Sequence, residues 1–554
     1  MTQPRLHGTD GIRGQFTEIS GDGFDALNAL INRRHLSSRA MRIIGEATGI
    51  YLAGNVGVSP LVVIGWDRRD ANTELVAALE SGLSAAGCRT LRVGELPTPG
   101  LHHAVLSSAA DAGMMVTASH NVATDSGVKL FDSEGYKSMP EVEDRISELA
   151  WDLADGGMAA PQGDGDSLEL IDGLSLYRSA LKKRMQSFES LFNVNFESSD
   201  WGRVIAPSGL ILDCSGGAGT EWLADGLSRR GLDTIEVSNR MDPINHMCGA
   251  GEFSPTAQWT VSELLMDAPE HRLLWTIAQH LESNDGIPTW KPGQIVGAAL
   301  DGDGDRCLLI EGTVDGLRIV DGDRMCDDIM RAAISVQSTS WEMAASIESD
   351  LGLTADLPRL GEHIAITTAV GDRWLSAALW PEPGKRWLEC SSFPRVIGTE
   401  DSGHLVMPAR CPGIANTWVL VGDGAATLIA SLLARVVLNK NGAATPFQSG
   451  WKKRVSIQPS VRERWTGKGK LANLIRTTAE KWCGVNLTQT EVDGEPTLLL
   501  LEGAINALPI SIAVRNSGTE AKTAISVRFS TGVEVNGDEL VTLLENTLKP
   551  HLTP

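Results

Sequence analysis

The stretch LVVIGWD, residues 61–67, is a short apolar run that ends in an acidic residue, and it predicts a buried β-strand. Residues 73–87 follow it with small and apolar side chains at helical spacing. TLRVGE (90–95) predicts the next strand, and GMMVTAS (113–119) predicts a third strand after a helical stretch at 100–112. This alternation predicts an α/β fold in which a parallel sheet carries helices on both faces.

The same rhythm returns further along the chain, at residues 209–217, 293–303 and 507–517. At about 150 residues per domain, a chain of 554 residues suggests about four domains. Strands of such sheets carry their functional groups at their C-terminal ends. Polar clusters follow three of the predicted strands directly, and these ends are candidate binding positions: TASHN (117–121), DGDGDR (301–306) and RNSGTE (515–520).

The composition restricts the class of protein. The chain has 48 Lys and Arg against 70 Asp and Glu, a formal net charge of −22, and a hydrophobic fraction of 42%. The apolar fraction is typical of a globular protein, whereas the negative field opposes binding to nucleic acid or to an anionic membrane. An anionic small substrate would therefore need a site that carries its own cationic groups.

The cysteines and the apolar stretches indicate a cytoplasmic protein. The eight cysteines are scattered, form no CxxC pair, and predict reduced thiols. Residues 1–14 contain no apolar signal segment. The most apolar stretch, residues 425–438, is short and contains Arg435, so it predicts a buried helix rather than a membrane span.

The cluster Thr117-Ala118-Ser119-His120-Asn121 places a serine at the end of a predicted strand. A serine exposed on such a turn is a candidate nucleophile. The alternative is an ordinary turn whose Ser and Asn side chains satisfy the local backbone. The GxSxG motif of a serine hydrolase is absent, so that class is not favoured.

The cluster DGDGDR carries Asp301, Asp303 and Asp305 at alternate positions, which project to one side of an extended chain. Three carboxylates packed together are costly unless a cation neutralises them, and hard oxygen ligands select Mg²⁺ or Ca²⁺. An EF-hand is excluded because its sixth and twelfth positions would be Arg306 and Gly312. A solvated acidic turn is the alternative. The similar DGD at 321–323 lacks the third Asp and predicts a helix start.

Two further clusters have the chemistry to bind a sugar phosphate. GTEDSGH (398–404) offers carboxylate, hydroxyl and imidazole groups that could hydrogen-bond sugar hydroxyls, although surface loops often have this composition. RNSGTEAK (515–522) combines an arginine with hydroxyls and glycine-flanked backbone, which suits a phosphate. An ordinary polar turn with the same composition is the alternative. Together the four clusters predict a cleft between four domains and phosphoryl transfer on a phosphosugar.

With these motifs in order, the chain resembles the α-D-phosphohexomutase superfamily. The resemblance spans residues 7 to 520, and it is carried by HGTDGIRG (7–14), TASHN with SGVKLF (117–121, 126–131), LDGDGDR (300–306), VDGDRM (320–325), TAVGDR (368–373), TEDSGH (399–404), GDG (422–424) and RNSGTE (515–520). It implies three related mixed α/β sheet domains and a smaller C-terminal α+β domain around a central cleft. The implied boundaries are 1–183 for a phosphoserine domain, 184–316 for a metal-binding domain, 317–440 for a sugar-binding domain and 447–554 for a phosphate-binding domain.

The resemblance also implies the site. The expected catalytic residues are Ser119 as the phosphoserine, Lys129 and His120 near the reacting oxygens, and Arg13 beside the phosphoserine. Lys129 is a candidate general acid or base, with a pKa that a nearby cation could depress. Mg²⁺ is expected on Ser119, Asp301, Asp303 and Asp305. The expected substrate-binding residues are Arg306, Glu400, Ser402, His404, Arg515, Ser517, Gly518 and Thr519.

The resemblance implies a substrate class. We expect a hexose phosphate whose phosphoryl group moves between the 6- and 1-positions through a bisphosphate, with no nucleic acid or membrane partner, in a monomer or homodimer. The motifs at 7–14, 244–250 and 368–373 favour glucosamine 6-phosphate. Mannose, glucose and N-acetylglucosamine phosphates remain alternatives. A catalytically silent sugar-phosphate-binding protein is the alternative from another class, but its expected mark is loss of Ser119 or of a metal-loop Asp.

The sequence departs from the family pattern at several positions. Val122 stands where the family usually has Pro, Ser126 where it has Asn, and Asn516 where it has Pro. The slot in which members often carry an Arg after the phosphate loop holds Ala524. Residues 253–292 resemble an insertion beside the metal-binding region. These differences leave the serine and metal motifs intact and concern the choice of substrate and the phosphate contacts.

Overall fold

The chain builds four sheets, one after another along the sequence, with helices packed against them. The computed structural model describes residues 4–156, 167–168, 170–266, 269–382, 384–440, 444–517 and 521–554. Within these residues the helices are α1 (Gly23–Arg33), α2 (Ser38–Val56), α3 (Asn72–Ala85), α4 (Thr98–Ser107), α5 (Pro140–Asp155), α6 (Gly173–Phe192), α7 (Trp222–Ser228), α8 (Val261–Met266), α9 (Arg272–Ser283), α10 (Gly322–Val336), α11 (Leu351–Ala355), α12 (Asp372–Ala378), α13 (Gly424–Leu438), α14 (Gly469–Cys483) and α15 (Gly537–Leu552).

The first sheet is mixed rather than wholly parallel. Its strands are β1 (Ile12–Phe16), β2 (His35–Leu36), β3 (Leu61–Trp66), β4 (Arg89–Glu95), β5 (Ala112–Val116), β6 (Asp125–Asp132) and β7 (Ser167–Leu168), in the order β2-β1-β6-β5-β3-β4-β7. The predicted strands at 61–67, 90–95 and 113–119 are the parallel core β3, β4 and β5. β6 runs antiparallel to both of its neighbours, because a short turn leads directly from β5 into it.

The second and third sheets are also mixed. The second contains β8 (Leu210–Asp213), β9 (Thr234–Glu236), β10 (Gln258–Thr260), β11 (Ile295–Leu300), β12 (Cys307–Gly312) and β13 (Gly316–Val320), in the order β10-β13-β12-β11-β8-β9. The third contains β14 (Glu342–Ser346), β15 (Ile364–Thr368), β16 (Leu388–Glu389), β17 (Val396–Thr399), β18 (Leu405–Arg410) and β19 (Thr417–Gly422), in the order β15-β14-β17-β18-β19-β16.

The fourth sheet is antiparallel throughout and has a core of its own. It contains β20 (Trp451–Ile457), β21 (Thr488–Thr490), β22 (Leu499–Ile505), β23 (Leu508–Asn516) and β24 (Thr523–Phe529), in the order β20-β24-β23-β22-β21. Its apolar face packs with α14 and α15 around Ile475, Ile512 and Leu544. The predicted fold class is therefore confirmed: three mixed α/β sheets are followed by a smaller α+β region.

The second and third sheets share one continuous hydrophobic core. α6, α10 and α13 contribute Phe188, Ile329 and Leu432, all of them buried. α13 covers the predicted helix at 425–438, and nearly all of its side chains are buried, so its apolar run is explained by packing. Within the described residues, no helix is both long and apolar enough to cross a bilayer.

The start of α10 follows the sequence prediction. Asp321 is its N-cap, and its side chain accepts a hydrogen bond of 2.9 Å from the Arg324 amide. The second DGD motif is therefore a helix start. The eight cysteines are all unpaired.

Candidate active site

Ser119 occupies a tight turn directly after β5. Its φ is +53°, a left-handed conformation that costs free energy in any residue with a side chain. The turn is fixed from several sides: the Ser119 amide donates to Thr117 Oγ1 at 2.8 Å, and the Ser119 carbonyl accepts from Arg69 at 2.8 Å and from Asn245 at 2.7 Å. The side chain is fully buried, and its Oγ donates to Asp301 at 2.8 Å. The sequence-predicted serine and acidic loop therefore meet.

The acidic loop follows β11 and gathers its three carboxylates. Asp301, Asp303 and Asp305 are buried, and one oxygen of each lies within 4.8 Å of the others. The loop is shaped by Gly304, whose φ of +69° disfavours any other residue, and by a 2.8 Å bond from the Thr98 amide to the Asp303 carbonyl. Burial, and then repulsion from Asp305 and Asp303, raises the pKa of Asp301 well above its ordinary value.

The donor set fits a divalent cation. Among the described residues, Asp303 Oδ1 and Asp305 Oδ1 are buried without a hydrogen-bond partner, and buried carboxylate oxygens are costly unless a cation or a donor meets them. The hydroxyl oxygen of Ser119 lies 2.8 Å from the carboxylate of Asp301. An all-oxygen set of this kind suits a hard cation. Asp301, Asp303, Asp305 and Ser119 would hold it.

Lys129 reaches the same carboxylates from β6. Its Nζ lies 2.7 Å from Asp303, 2.9 Å from Asp305 and 3.2 Å from Asp10. Burial alone would lower the pKa of this amine, but the carboxylates of Asp10, Asp303 and Asp305 raise it well above its ordinary value. The expected depression of this pKa depends on a cation bound beside Lys129 and stays a prediction, whereas among the protein's own groups the carboxylates outweigh burial and the nearby Arg13.

Arg13 and His120 lie at the wall of the same cavity. Arg13 lies on β1, and its guanidinium group donates to Asn121 Oδ1 at 3.2 Å and to the Asp10 carboxylate at 2.8 Å. Burial, and then the charges of Arg306 and Arg13, lowers the pKa of His120 well below its ordinary value, so the imidazole is neutral near neutral pH. Its Nδ1 is buried and has no hydrogen-bond partner among the described residues.

The loop after β17 brings three predicted sugar contacts to the cavity. Glu400 accepts a 2.7 Å bond from the Gly371 amide, and Ser402 Oγ lies 3.5 Å from the other Glu400 oxygen. His404 Nε2 lies 3.4 Å from Asp372. Burial raises the pKa of Glu400. Arg306, Glu400, Ser402 and His404 all line one cavity of about 700 Å³.

Arg515 of the predicted phosphate cradle lines the same cavity as His120 and Asn121, the two residues that follow the serine. Arg515 is the last residue but one of β23, and it pairs with Glu348 at 3.0 Å and with Glu495 at 3.3 Å. Ser517 lines an adjoining cavity that shares Arg515 with the first. Gly518 and Thr519 lie outside the described residues, and the phosphate-binding role of all four residues stays a prediction.

The main cavity is cationic although the chain is acidic. Its lining contains eight Lys and Arg side chains against five Asp and Glu: Arg13, Arg34, Lys137, Arg306, Lys452, Lys453, Arg454 and Arg515 against Asp10, Glu348, Asp372, Glu400 and Asp401. Walls with one predominant sign of charge concentrate ligands of the opposite sign. The cavity therefore suits an anion, as the composition argument required.

The segment 253–292 contributes to the cavity as well. Ser254, Pro255 and Thr256 line it. The chain just before them passes close to His120, since a Cβ on Gly251 would lie 2.6 Å from the Cβ of His120. The segment is therefore more than a peripheral insertion.

Several residues of the site were missed by sequence reasoning. Asp10 pairs with Arg13, Lys129 and Lys137, and it lies inside the HGTDGIRG motif, which could have signalled it. Asn245, which holds the Ser119 carbonyl, lies inside the quoted stretch 244–250. Glu348 and Arg454 are in no motif, and only the folded chain brings them to the cavity.

Known proteins match this chain over nearly its whole length. The family described as Phosphoglucomutase/phosphomannomutase, alpha/beta/alpha domain I, matches residues 4–155. The phosphoglucosamine mutase of Mycobacterium marinum is 27% identical over 548 residues, which cover 96% of this chain and 100% of that protein. The phosphoglucosamine mutase of Rhodococcus erythropolis is 28% identical over 500 residues, 88% of this chain and 96% of that protein.

Solved structures share the fold. The open form of a Paramecium phosphoglucomutase, pp63/parafusin, has a TM-score of 0.61 at 14% identity and covers 99% of this chain and 94% of its own. A phosphoglucomutase/phosphomannomutase family protein from Burkholderia thailandensis has a TM-score of 0.59 at 18% identity, with coverage of 99% and 97%. At such identities the likeness concerns the fold.

Fold and site together define an enzyme that transfers a phosphoryl group within one molecule. Four sheets in this order, a buried serine on a carboxylate cluster and a cationic cavity are the parts that this class requires. Over most of its length the chain is similar to phosphoglucosamine mutases, and over residues 4–155 it is similar to the first domain of phosphoglucomutases and phosphomannomutases.

Proposed function

We propose that the chain is an Mg²⁺-dependent mutase that interconverts glucosamine 6-phosphate and glucosamine 1-phosphate. The observation that carries the proposal is the 2.8 Å contact between Ser119 Oγ and Asp301, inside the acidic triplet. The neighbouring residues His120, Asn121 and Arg306 line the cationic cavity. The amino sugar is favoured by the curated relatives, which are named phosphoglucosamine mutases and match 84% to 96% of the chain in the first three cases.

The proposed reaction uses Ser119 in its phosphorylated form. A sugar hydroxyl attacks the phosphorus, the bond from phosphorus to Ser119 Oγ breaks, and a sugar bisphosphate forms. After the bisphosphate turns over in the cavity, Ser119 Oγ attacks the other phosphoryl group and the sugar leaves with one phosphate. When bound, Mg²⁺ supplies charge neutralisation at the transferring group.

The chain's own residues move the protons and hold the substrate. Lys129 lies 2.7 Å from Asp303 and 2.9 Å from Asp305, where its ammonium group would stabilise negative charge at the transferring group. Neutral His120 offers an unpartnered nitrogen that could accept the hydroxyl proton and return it in the second half-reaction. Arg13 lies beside the phosphoserine, Glu400 and Ser402 bind sugar hydroxyls, and Arg515 with Ser517, Gly518 and Thr519 holds the phosphate that is not transferred.

We also propose that the four regions act as four domains, 1–183, 184–316, 317–440 and 447–554, each supplying one of the clusters. α6 runs through the first of these boundaries as one continuous helix and packs on α4 and on α13. It would therefore hold the first region against the third, whereas the fourth would be the region that moves to let the bisphosphate turn over.

A side-by-side assay tests the proposal. Purified protein with Mg²⁺ and a catalytic amount of glucose 1,6-bisphosphate is given glucosamine, mannose, glucose or N-acetylglucosamine 6-phosphate, and formation of the 1-phosphate is followed. We expect the highest kcat/KM for glucosamine 6-phosphate. Faster turnover of another hexose phosphate would overturn the substrate assignment and keep the enzyme class. Intact-mass analysis should find one added phosphate on the peptide that contains Ser119.

A further inference from the structure

A second arginine of the main cavity shares its partner with Arg515. Arg454, on β20, lies 2.7 Å from Glu348 Oε2, while Arg515 lies 3.0 Å from Glu348 Oε1. One carboxylate thus receives a guanidinium on each of its two oxygens. All three side chains line the cavity.

The register of the fourth sheet explains why the two arginines converge. Arg515 on β23 lies opposite Ala524 of β24, and Arg454 on β20 lies opposite Ser526 of β24. Positions 524 and 526 are two apart, so their side chains point to the same face, and residues directly opposite share that face. The opposite face belongs to the core, where Ile525 and Val527 are buried.

The carboxylate of Glu348 holds the two cations together. Although burial would raise its pKa, Arg515 and Arg454 keep the pKa of Glu348 below its ordinary value, so the group is ionised at neutral pH. Arg454 and Arg515 carry one positive charge more than Glu348, and Glu495, which lies 3.3 Å from Arg515, offsets part of that charge. A phosphate dianion offers more charge and more acceptor oxygens than a carboxylate, and the planar guanidinium fork matches both groups.

The three side chains differ in their freedom to rearrange. The Arg454 side chain is 44% exposed, against 11% for Arg515 and 15% for Glu348. Arg515 is also anchored by Glu495. Arg454 can therefore swing toward a ligand in the cavity, while Arg515 stays in place.

We propose that Arg454 and Arg515 form a two-arginine clamp for the phosphate that is not transferred, and that Glu348 is the internal counter-ion of the clamp and competes with that phosphate. The proposal rests on the proposed function and adds to it a residue from outside the phosphate loop. Arg454 binds this phosphate directly, and Glu348 lowers the affinity of the clamp for it by competition.

The first experiment measures phosphate binding without turnover. Inorganic phosphate is titrated calorimetrically into the full-length protein and into Arg454→Gln, Glu348→Gln and Arg476→Gln. Arg476 is the matched control, since it lies on α14, bonds Gln489 and lines neither of the cavities that contain Arg515. Because a charged hydrogen bond is lost, we expect Arg454→Gln to weaken phosphate binding about 10-fold or more. Glu348→Gln removes a nearby negative charge, and we expect it to tighten binding about 3-fold to 10-fold.

The second experiment uses turnover. We expect Arg454→Gln to raise KM for glucosamine 6-phosphate about 10-fold or more while kcat stays within about 3-fold, with partial recovery in Arg454→Lys, which restores charge without the fork. A phosphate affinity and a KM equal to those of Arg476→Gln would overturn the assignment of Arg454. Weaker phosphate binding in Glu348→Gln would overturn the counter-ion role. Melting curves show whether each variant is folded.

The two proposals fail in different ways. If the wild-type protein turns over no hexose phosphate, the proposed function fails, while the calorimetric titration still decides whether the clamp binds phosphate. If the wild-type protein is active and Arg454→Gln matches the control, the function stands and the clamp fails.

Discussion

At the scale of single residues, Ser119 combines three properties that a surface turn lacks. It is fully buried, its backbone is left-handed, and its hydroxyl points at a carboxylate. The surrounding hydrogen bonds, from Arg69 and Asn245 among others, hold that conformation in place. Strain maintained in this way is typical of functional positions.

Ser119→Ala should abolish turnover and leave the fold intact. No other residue is proposed to carry the phosphoryl group, so we expect kcat to fall by at least about a thousandfold. Turnover and intact mass are measured together, and the added phosphate should disappear. Ser190→Ala, an exposed position on α6, is the control. Retained turnover in Ser119→Ala would contradict the nucleophile assignment.

Asp303→Ala should weaken both activity and metal dependence. The variant removes one of three carboxylates that would share the cation, and it also removes a partner of Lys129. We expect turnover to fall by at least about a hundredfold and the Mg²⁺ concentration for half-maximal rate to rise. EDTA should abolish turnover by the wild-type protein, and added Mg²⁺ should restore it. An Mg²⁺ titration that matches that of Asp152→Ala, an exposed control, would speak against the metal site.

The sequence predicts the chemical groups of the site better than their electrostatic state. Ser119, the three aspartates, Lys129 and Glu400 belong to contiguous motifs, and such motifs can be recognised in a single sequence. The pKa of Lys129 depends on Asp10, Asp303 and Asp305, which come from two separate sheets, and no local pattern gives their distances. Glu348 and Arg454 lie in no motif for the same reason.

At the scale of elements, the turn between β5 and β6 is the part that must be built most accurately. Arg69 and Asp67 pair at 3.0 Å with both side chains fully buried. Arg69 also donates to four carbonyls in or beside this turn: Ser119 at 2.8 Å, Asn121 at 3.1 Å, Val122 at 2.6 Å and Asp125 at 2.7 Å. One guanidinium thus fixes the backbone that presents Ser119.

Arg69→Met should destabilise the protein and reduce turnover. The variant keeps much of the side-chain volume but leaves Asp67 and four carbonyls without this donor, so we expect a loss of about 3–5 kcal/mol in the free energy of unfolding. Urea denaturation provides the measurement. Arg145→Met is the control, since Arg145 forms an exposed pair with Glu148 and its loss should cost at most about 1 kcal/mol. Equal losses in the two variants would refute the argument.

The elements themselves were largely predictable, whereas their pairing was not. The periodicity at 61–67 and 73–87 matches β3 and α3, and the run at 425–438 matches α13. The parallel sheet predicted from the alternation is found in β3, β4 and β5, whereas β6 returns antiparallel beside β5, because strand direction depends on the length of the connecting turn rather than on periodicity. Segment 253–292 held α8, α9 and part of the cavity wall, which its composition did not indicate.

At the scale of the whole molecule, a buried charge cluster joins the third and fourth sheets. Lys452, on β20, lies 2.7 Å from Asp401, 3.6 Å from Asp321 and 3.8 Å from Asp323. Burial, and then repulsion from Asp321, raises the pKa of Asp323 to about 8. Asp323 therefore stays protonated to a higher pH in the folded protein than in the unfolded chain.

The stability of the molecule should fall with rising pH because of this group. A carboxyl whose pKa is raised in the folded state contributes stability that is complete below its unfolded pKa and is lost as pH rises through the folded pKa. For Asp323 that interval runs from the ordinary value of 3.8 to about 8. Asp323→Asn should flatten the decline, which urea denaturation at pH 5, 6, 7 and 8 would show. Parallel curves for wild type and variant would contradict the shift.

The burial of Ser119 has a consequence for the lifetime of the loaded enzyme. A phosphate ester on an exposed side chain meets bulk solvent continuously, whereas the side chain of Ser119 is fully buried in its turn. Spontaneous dephosphorylation should therefore be slow compared with catalysis. Protein purified from cells should therefore stay phosphorylated during long storage. Added bisphosphate would be needed only after occasional hydrolysis of the phosphoserine.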